Sequence, residues 1–139
     1  MRRVALGIVM LAAAVAMAGD PSGVRIVEDA GKWESGYGVE FYNVVGALEI
    51  TDGVARAFVK LAVDALDTNG KVVASETAYN ETAEALSAPG ADAAALTAAG
   101  KVTPVKANAR QRFRTSFLKD EHPNVASHRI RVLEAPPAP

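Results

Sequence analysis

The chain has 139 residues, no cysteine and a formal net charge of −1; 50% of its residues are hydrophobic and 22% are charged. These figures fit a single globular domain and exclude disulfide staples, thiolate metal sites, thiol nucleophiles and redox motifs. The charge is unevenly spread: 19–100 carries five basic against thirteen acidic side chains, and 101–139 carries eight against three. Such asymmetry is expected where two halves of a chain pair across a sheet or core, or where a basic surface is set aside for binding.

Met1-Arg2-Arg3 is a short positive segment, and Val4 to Ala18 follows without a charge. Ala16-Met17-Ala18 offers the small side chains that a signal peptidase accepts, and Gly19-Asp20-Pro21 ends the run. This is the layout of a cleavable secretory signal over 1–18. The apolar run falls short of the roughly 20 residues that a membrane-spanning helix needs. No cysteine follows it, so a lipid anchor is not expected. The mature chain is therefore expected to start near Gly19 and to be exported to a bacterial periplasm or the extracellular space, with no membrane insertion after cleavage.

Val24 to Val27 predicts a short first strand, and Gly31 to Gly38 reads as a loop carrying Trp33 and Tyr37. Val39 to Ile50 is rich in β-branched and aromatic residues and predicts a strand bent at Gly46. From Ala55 to Leu66, residues Ala57, Val59, Leu61, Val63 and Ala65 alternate with Lys60 and Asp64, a period of two with one face buried. Asp67-Thr68-Asn69-Gly70 is a hairpin signal, with Asn69 and Gly70 both tolerant of positive φ. Lys71 to Tyr79 is the returning strand.

Residues 80–101 are alanine-rich and broken by Pro89-Gly90. They predict an insertion at the domain edge with short helices over Glu81–Leu86 and Ala93–Ala99, capped by Asn80 and Asp92 and stopped at Gly100. Ala109 to Leu118 and Ser127 to Leu133 alternate again as strands. The tail, 135–139, is expected to be extended and uncovered. Six or seven short strands without a long helix predict an all-β, antiparallel β-sandwich over 19–134.

Val63-Asp64-Ala65-Leu66-Asp67, Gly70-Lys71-Val72-Val73, Phe113 with Phe117, and Ile130 with Val132 together resemble the FxLYD-type domains of bacterial exported proteins. The resemblance spans roughly Val39 to Leu133. Asp67 matches the naming motif, whereas Val63, Ala65 and Leu66 stand where it has Phe, Leu and Tyr. It implies an immunoglobulin-like sandwich with an accessory or interaction role and carries over no catalytic residues.

Candidate chemistry is sparse. His122 and His128 are six residues apart, with Asp120 and Glu121 merely adjacent to the first, so no metal site or cofactor is expected. Asp67 to Gly70 lacks the later acidic residue of a calcium loop. Ser87, Ser116 and Ser127 lack nucleophile-elbow glycines, so no catalytic residues are assigned. Asn80-Glu81-Thr82 is a glycosylation sequon only in a eukaryotic pathway.

What remains is arginine alternation: Arg110, Arg112 and Arg114 share one strand face, and Arg129 and Arg131 share another. If these strands pair as a hairpin, all five guanidinium groups emerge on one surface, and Lys60 joins them if its strand is the neighbour. Guanidinium forks bind carboxylate, sulfate or phosphate bidentately, so this face is the candidate anion-binding site. The competing expectation is that Asp64, Glu76 and other neighbouring acids neutralise the row. Export, a net-negative mature chain and the lack of aromatics among the arginines argue against nucleic acid. The expected function is a non-enzymatic binding or structural module of the envelope or extracellular space, with an envelope protein as partner; the alternative is a binder of an anionic polysaccharide or small anion.

Overall fold

The structure, a computed structural model, describes residues 23–139. The expected signal peptide, 1–18, lies outside the described residues. Two antiparallel sheets of three strands each face one another. Strands β1 (Val24–Gly36) and β2 (Val39–Ile50) form a long hairpin that β5 (Arg110–Leu118) joins along β2. The second sheet has β3 (Lys60–Leu66) at its centre, flanked by β4 (Val72–Tyr79) and β6 (Ser127–Glu134). The connectivity follows immunoglobulin-type sandwiches, with β1, β2 and β5 where such folds have A, B and E, and β3 and β6 where they have C and F.

The first strand is far longer than its apolar start suggests. Residues 31–36, which read as loop, continue β1 in register with β2, from Gly31 opposite Val44 to Gly36 opposite Val39. Gly31 is a packing requirement here and not a break. A Cβ at that position would lie 2.4 Å from Tyr42 Oη and 2.6 Å from His128 Nδ1. Gly46 behaves alike, since its missing Cβ leaves room for the Phe113 ring at 2.5 Å. Only Tyr37 and Gly38, at φ 53° and 78°, form the turn, the left-handed pair that a two-residue hairpin demands.

β3 begins at Lys60, five residues later than the alternation from Ala55 suggests. Residues 55–57 serve a different partner: Arg56 bridges Val105 and Pro137, Ala57 N donates to Pro136 O at 2.8 Å, and Ala138 N donates to Ala55 O at 2.8 Å. The proline-rich tail is thus paired and not uncovered. The nearly buried Arg56 side chain fixes it further by donating to Ala135 O at 2.6 Å and to Val54 O at 3.1 Å, while pairing with Asp52. Between β3 and β4 the turn places Gly70 alone at positive φ, with Asp67 Oδ1 accepting from Asn69 N and Lys71 N. It is a turn followed by a glycine bulge, and not one with both Asn69 and Gly70 left-handed.

The insertion holds a 3-10 helix, Glu81–Ser87, and one α-turn, α1 (Ala93–Ala98). Asp92 caps α1 by accepting from Ala95 N at 3.2 Å. Gly100, at φ 74°, ends it: Gly100 N donates to Thr97 O and Lys101 N to Leu96 O, the paired bonds of a Schellman motif. Asn80 is no cap. It is fully buried, accepts from Val59 N at 2.8 Å and donates to Gln111 Oε1 at 2.8 Å, tying the start of β3 to β5. Between the sheets lie Val44, Leu48, Leu61, Val63, Phe113 and Phe117, all buried. The core is thus aliphatic and aromatic packing, with Tyr42 buried in it and Trp33 packed against it, without a disulfide.

Candidate functional site

β5 and β6 do not pair with each other. They lie in different sheets, so the five arginines cannot form one surface. Each strand turns its apolar residues inward, Phe113 and Phe117 on β5, Ile130 and Val132 on β6, so each arginine row faces outward on its own side. Lys60, opposite Glu134 and paired with it at 3.4 Å, accompanies Arg129 and Arg131 and not the β5 row.

On the second sheet, register puts Arg129 opposite Asp64 and Arg131 opposite Ala62. Both guanidinium groups therefore reach the same carboxylate. Arg129 donates from Nε (3.1 Å) and Nη2 (2.9 Å) to Asp64 Oδ2, while Arg131 donates from Nε to Oδ2 (2.8 Å) and from Nη2 to Oδ1 (3.1 Å). Ser75 Oγ, across on β4, adds a bond to Oδ1 at 2.7 Å. Asp64 is only 2% exposed, whereas the arginine side chains are 54% and 49% exposed. The carboxylate lies under a lid of two cations. Arg131's bonds, followed by those of Ser75 and Arg129, hold its carboxyl well below the usual carboxylate range against the opposing effect of burial. Asp64 in turn raises the pKa of Arg131. Two positive charges meet one negative, so the cluster keeps an excess positive charge at the surface.

On the first sheet the β5 row meets looser partners. Arg110 pairs with Glu28 of β1, and Arg114 lies 3.6 Å from Glu84 of the 3-10 helix. Arg112 makes no ion pair among the described residues, although its backbone N donates to Glu81 Oε1 at 2.9 Å and so covers the free edge of β5. An open groove runs beside Arg114, between Phe41 and Asn43 of β2 and Tyr79 and Glu84 opposite. The basic last third of the chain is thus met by four carboxylates of the first two thirds, Glu28, Glu40, Asp64 and Glu84, across both sheets.

A further polar chain was hidden in the sequence. Asp29 Oδ1 lies 2.5 Å from His128 Nε2, and His128 Nδ1 lies 3.1 Å from Tyr42 Oη. It links β1, β2 and β6 and bolts the sheets together at one rim, beside Trp33, whose Nε1 donates to Val125 O at 3.1 Å. Burial, and after it the Asp29 charge, raises the Tyr42 pKa. The one available signal was His128 falling in step with the inward Ile130 and Val132. His122 stacks edge-on to Phe117, with 6.1 Å between centroids. Among the described residues no group of three or more His, Asp, Glu or Cys side chains could hold a metal ion, and no helix is long and apolar enough to cross a membrane. The chain matches no protein-family model, no curated protein and no solved structure.

Proposed function

We propose that the chain is an exported, non-enzymatic β-sandwich acting as a binding or structural module of the bacterial envelope or extracellular space, akin to the FxLYD-type domains. The use of its polar side chains supports this reading most. Asp64, Arg56, Asn80 and the Asp29–His128–Tyr42 chain are each engaged in holding strands or sheets together. Their interactions are those of a scaffold. Expression in a bacterium followed by osmotic-shock fractionation and N-terminal sequencing tests the export. The expected result is release with the periplasm or medium and a first residue near Gly19. A membrane-bound chain that still begins at Met1 would overturn it.

A second reading, binding of an anionic glycan or small anion, is favoured by the surplus positive charge of Arg129 and Arg131. Each uses Nε and Nη2 on Asp64, which leaves Nη1 to meet an incoming oxyanion. Retention on heparin should fall when Arg129, Arg131 and Asp64 are all replaced by Ser, a set that removes the surplus charge without stranding the carboxylate. Unchanged retention would sink this reading, and loss on Arg112→Ser alone would move the site to the other sheet.

A further inference from the structure

β1 is the longest strand, thirteen residues, and it stands at the edge of its sheet. Along Arg25–Ser35 the backbone is bonded only to β2 among the described residues, so every second amide and carbonyl is turned to the open side. A bare edge of that length is a template for another strand. Its side chains indicate which strand would fit.

The register with β2 puts Arg25, Glu28, Ala30, Lys32 and Glu34 on the outer face, opposite Glu49, Ala47, Val45, Asn43 and Phe41. The signs run plus, minus, neutral, plus, minus, which is antisymmetric about Ala30. We propose that β1 pairs antiparallel with β1 of a second copy about a two-fold axis at Ala30, joining two three-stranded sheets into one of six. In that register Glu28 stands opposite Lys32 of the second copy. The bulge at Val27 removes one residue from the count, so Arg25 stands opposite Glu34 of the second copy. By symmetry each pair occurs twice, and no like charges meet. A self-complementary patch of this kind is what a two-fold contact requires.

The inner face agrees. The inward-pointing charge of an edge strand normally repels a newcomer. Here that charge is Asp29, and its carboxylate is already bound by His128 Nε2 at 2.5 Å. Opposite it would stand Gly31 of the second copy, which has no side chain to clash.

The absence of cysteine makes the test direct. Across an antiparallel pair, residues on the two-fold axis have Cα atoms about 4.5 or 5.5 Å apart, inside the roughly 4.4–6.8 Å span of a disulfide. Ala30→Cys should therefore cross-link rapidly on mild oxidation, and Asp120→Cys, in an exposed loop, should not. Sedimentation velocity of the purified protein should show a concentration-dependent dimer. Lys32→Glu sets like charges opposite twice and should weaken it about tenfold or more. Adding Glu28→Lys to Lys32→Glu restores both pairs and should restore the dimer. The proposal is overturned by a monomer at all concentrations with Ala30→Cys no faster than Asp120→Cys. A dimer that ignores Lys32→Glu overturns it equally.

Discussion

The arginines of β5 and those of β6 look alike in sequence, each set at every second position of a strand with apolar residues between. They differ in what the neighbouring strand puts beneath them. Arg129 and Arg131 close over a carboxylate that is 2% exposed. Arg110 and Arg114 reach carboxylates that are themselves about half exposed, at 54% and 51%. The first arrangement is held together by the cost of burying a charge, the second by attraction that water and salt largely screen. An alternating row thus reveals which face a residue occupies. Whether the row is structural depends on its neighbour.

The sharpest way to break this contrast is to remove the lid. Replacing both Arg129 and Arg131 by Ala leaves Asp64 with Ser75 alone as a side-chain partner and no counter-charge, in a site that loss of the two covering side chains opens to water. The expected loss is about 2–3 kcal/mol, that of the charge-assisted hydrogen bonds, read by urea unfolding with Trp33 fluorescence as the signal. Adding Asp64→Val should recover part of it, because the protein then keeps no carboxylate without a counter-charge. A loss below about 1 kcal/mol would put the β6 arginines in the same class as those of β5.

Acid provides a milder version of the same experiment. Asp64 has its pKa lowered in the folded state, so its contribution is fully present above the ordinary carboxylate range and is lost as pH falls through that range toward its lower folded value. The wild-type protein should therefore lose stability faster than Asp64→Asn when urea midpoints are compared from about pH 5 down to about pH 2. Parallel pH profiles of the two proteins would mean that the folded environment does not favour the ionised form.

How much of this could be read in advance depends on whether the information was local. The sandwich, the β2 boundaries, the β3–β4 hairpin and the inward sets of β5 and β6 all rest on period-two alternation and turn residues, which are local signals. The length of β1 was hidden because Gly31 and Gly36 look like breaks, and the reason for Gly31 is the Tyr42–His128 contact made from two other strands. Arg56 holding the tail, and Asn80 buried between β3 and β5, are likewise contacts between distant segments. The five arginines do not share one surface for one topological reason: β5 and β6 are consecutive strands separated by a loop that crosses between sheets, which alternation alone does not distinguish from a hairpin. Asp64 was visible as a polar residue within the β3 alternation, but its burial follows only once Arg129 and Arg131 are known to cover it.

The smallest effect tests the other side of the contrast. Arg110→Ala and Arg114→Ala should each cost no more than about 1 kcal/mol at physiological salt. In 1 M salt, where the screening length is about 3 Å, the difference from wild type should vanish for both. Arg112→Ala should leave the unfolding midpoint unchanged at either salt concentration, since its side chain makes no ion pair among the described residues and the bond from its backbone N to Glu81 is preserved by the substitution. Glu81→Ala should be felt more than Arg112→Ala, because it uncovers the β5 edge. If Arg112→Ala proves the costlier of the two, its guanidinium has a partner within the fold, and the separation between the two arginine rows narrows from that side.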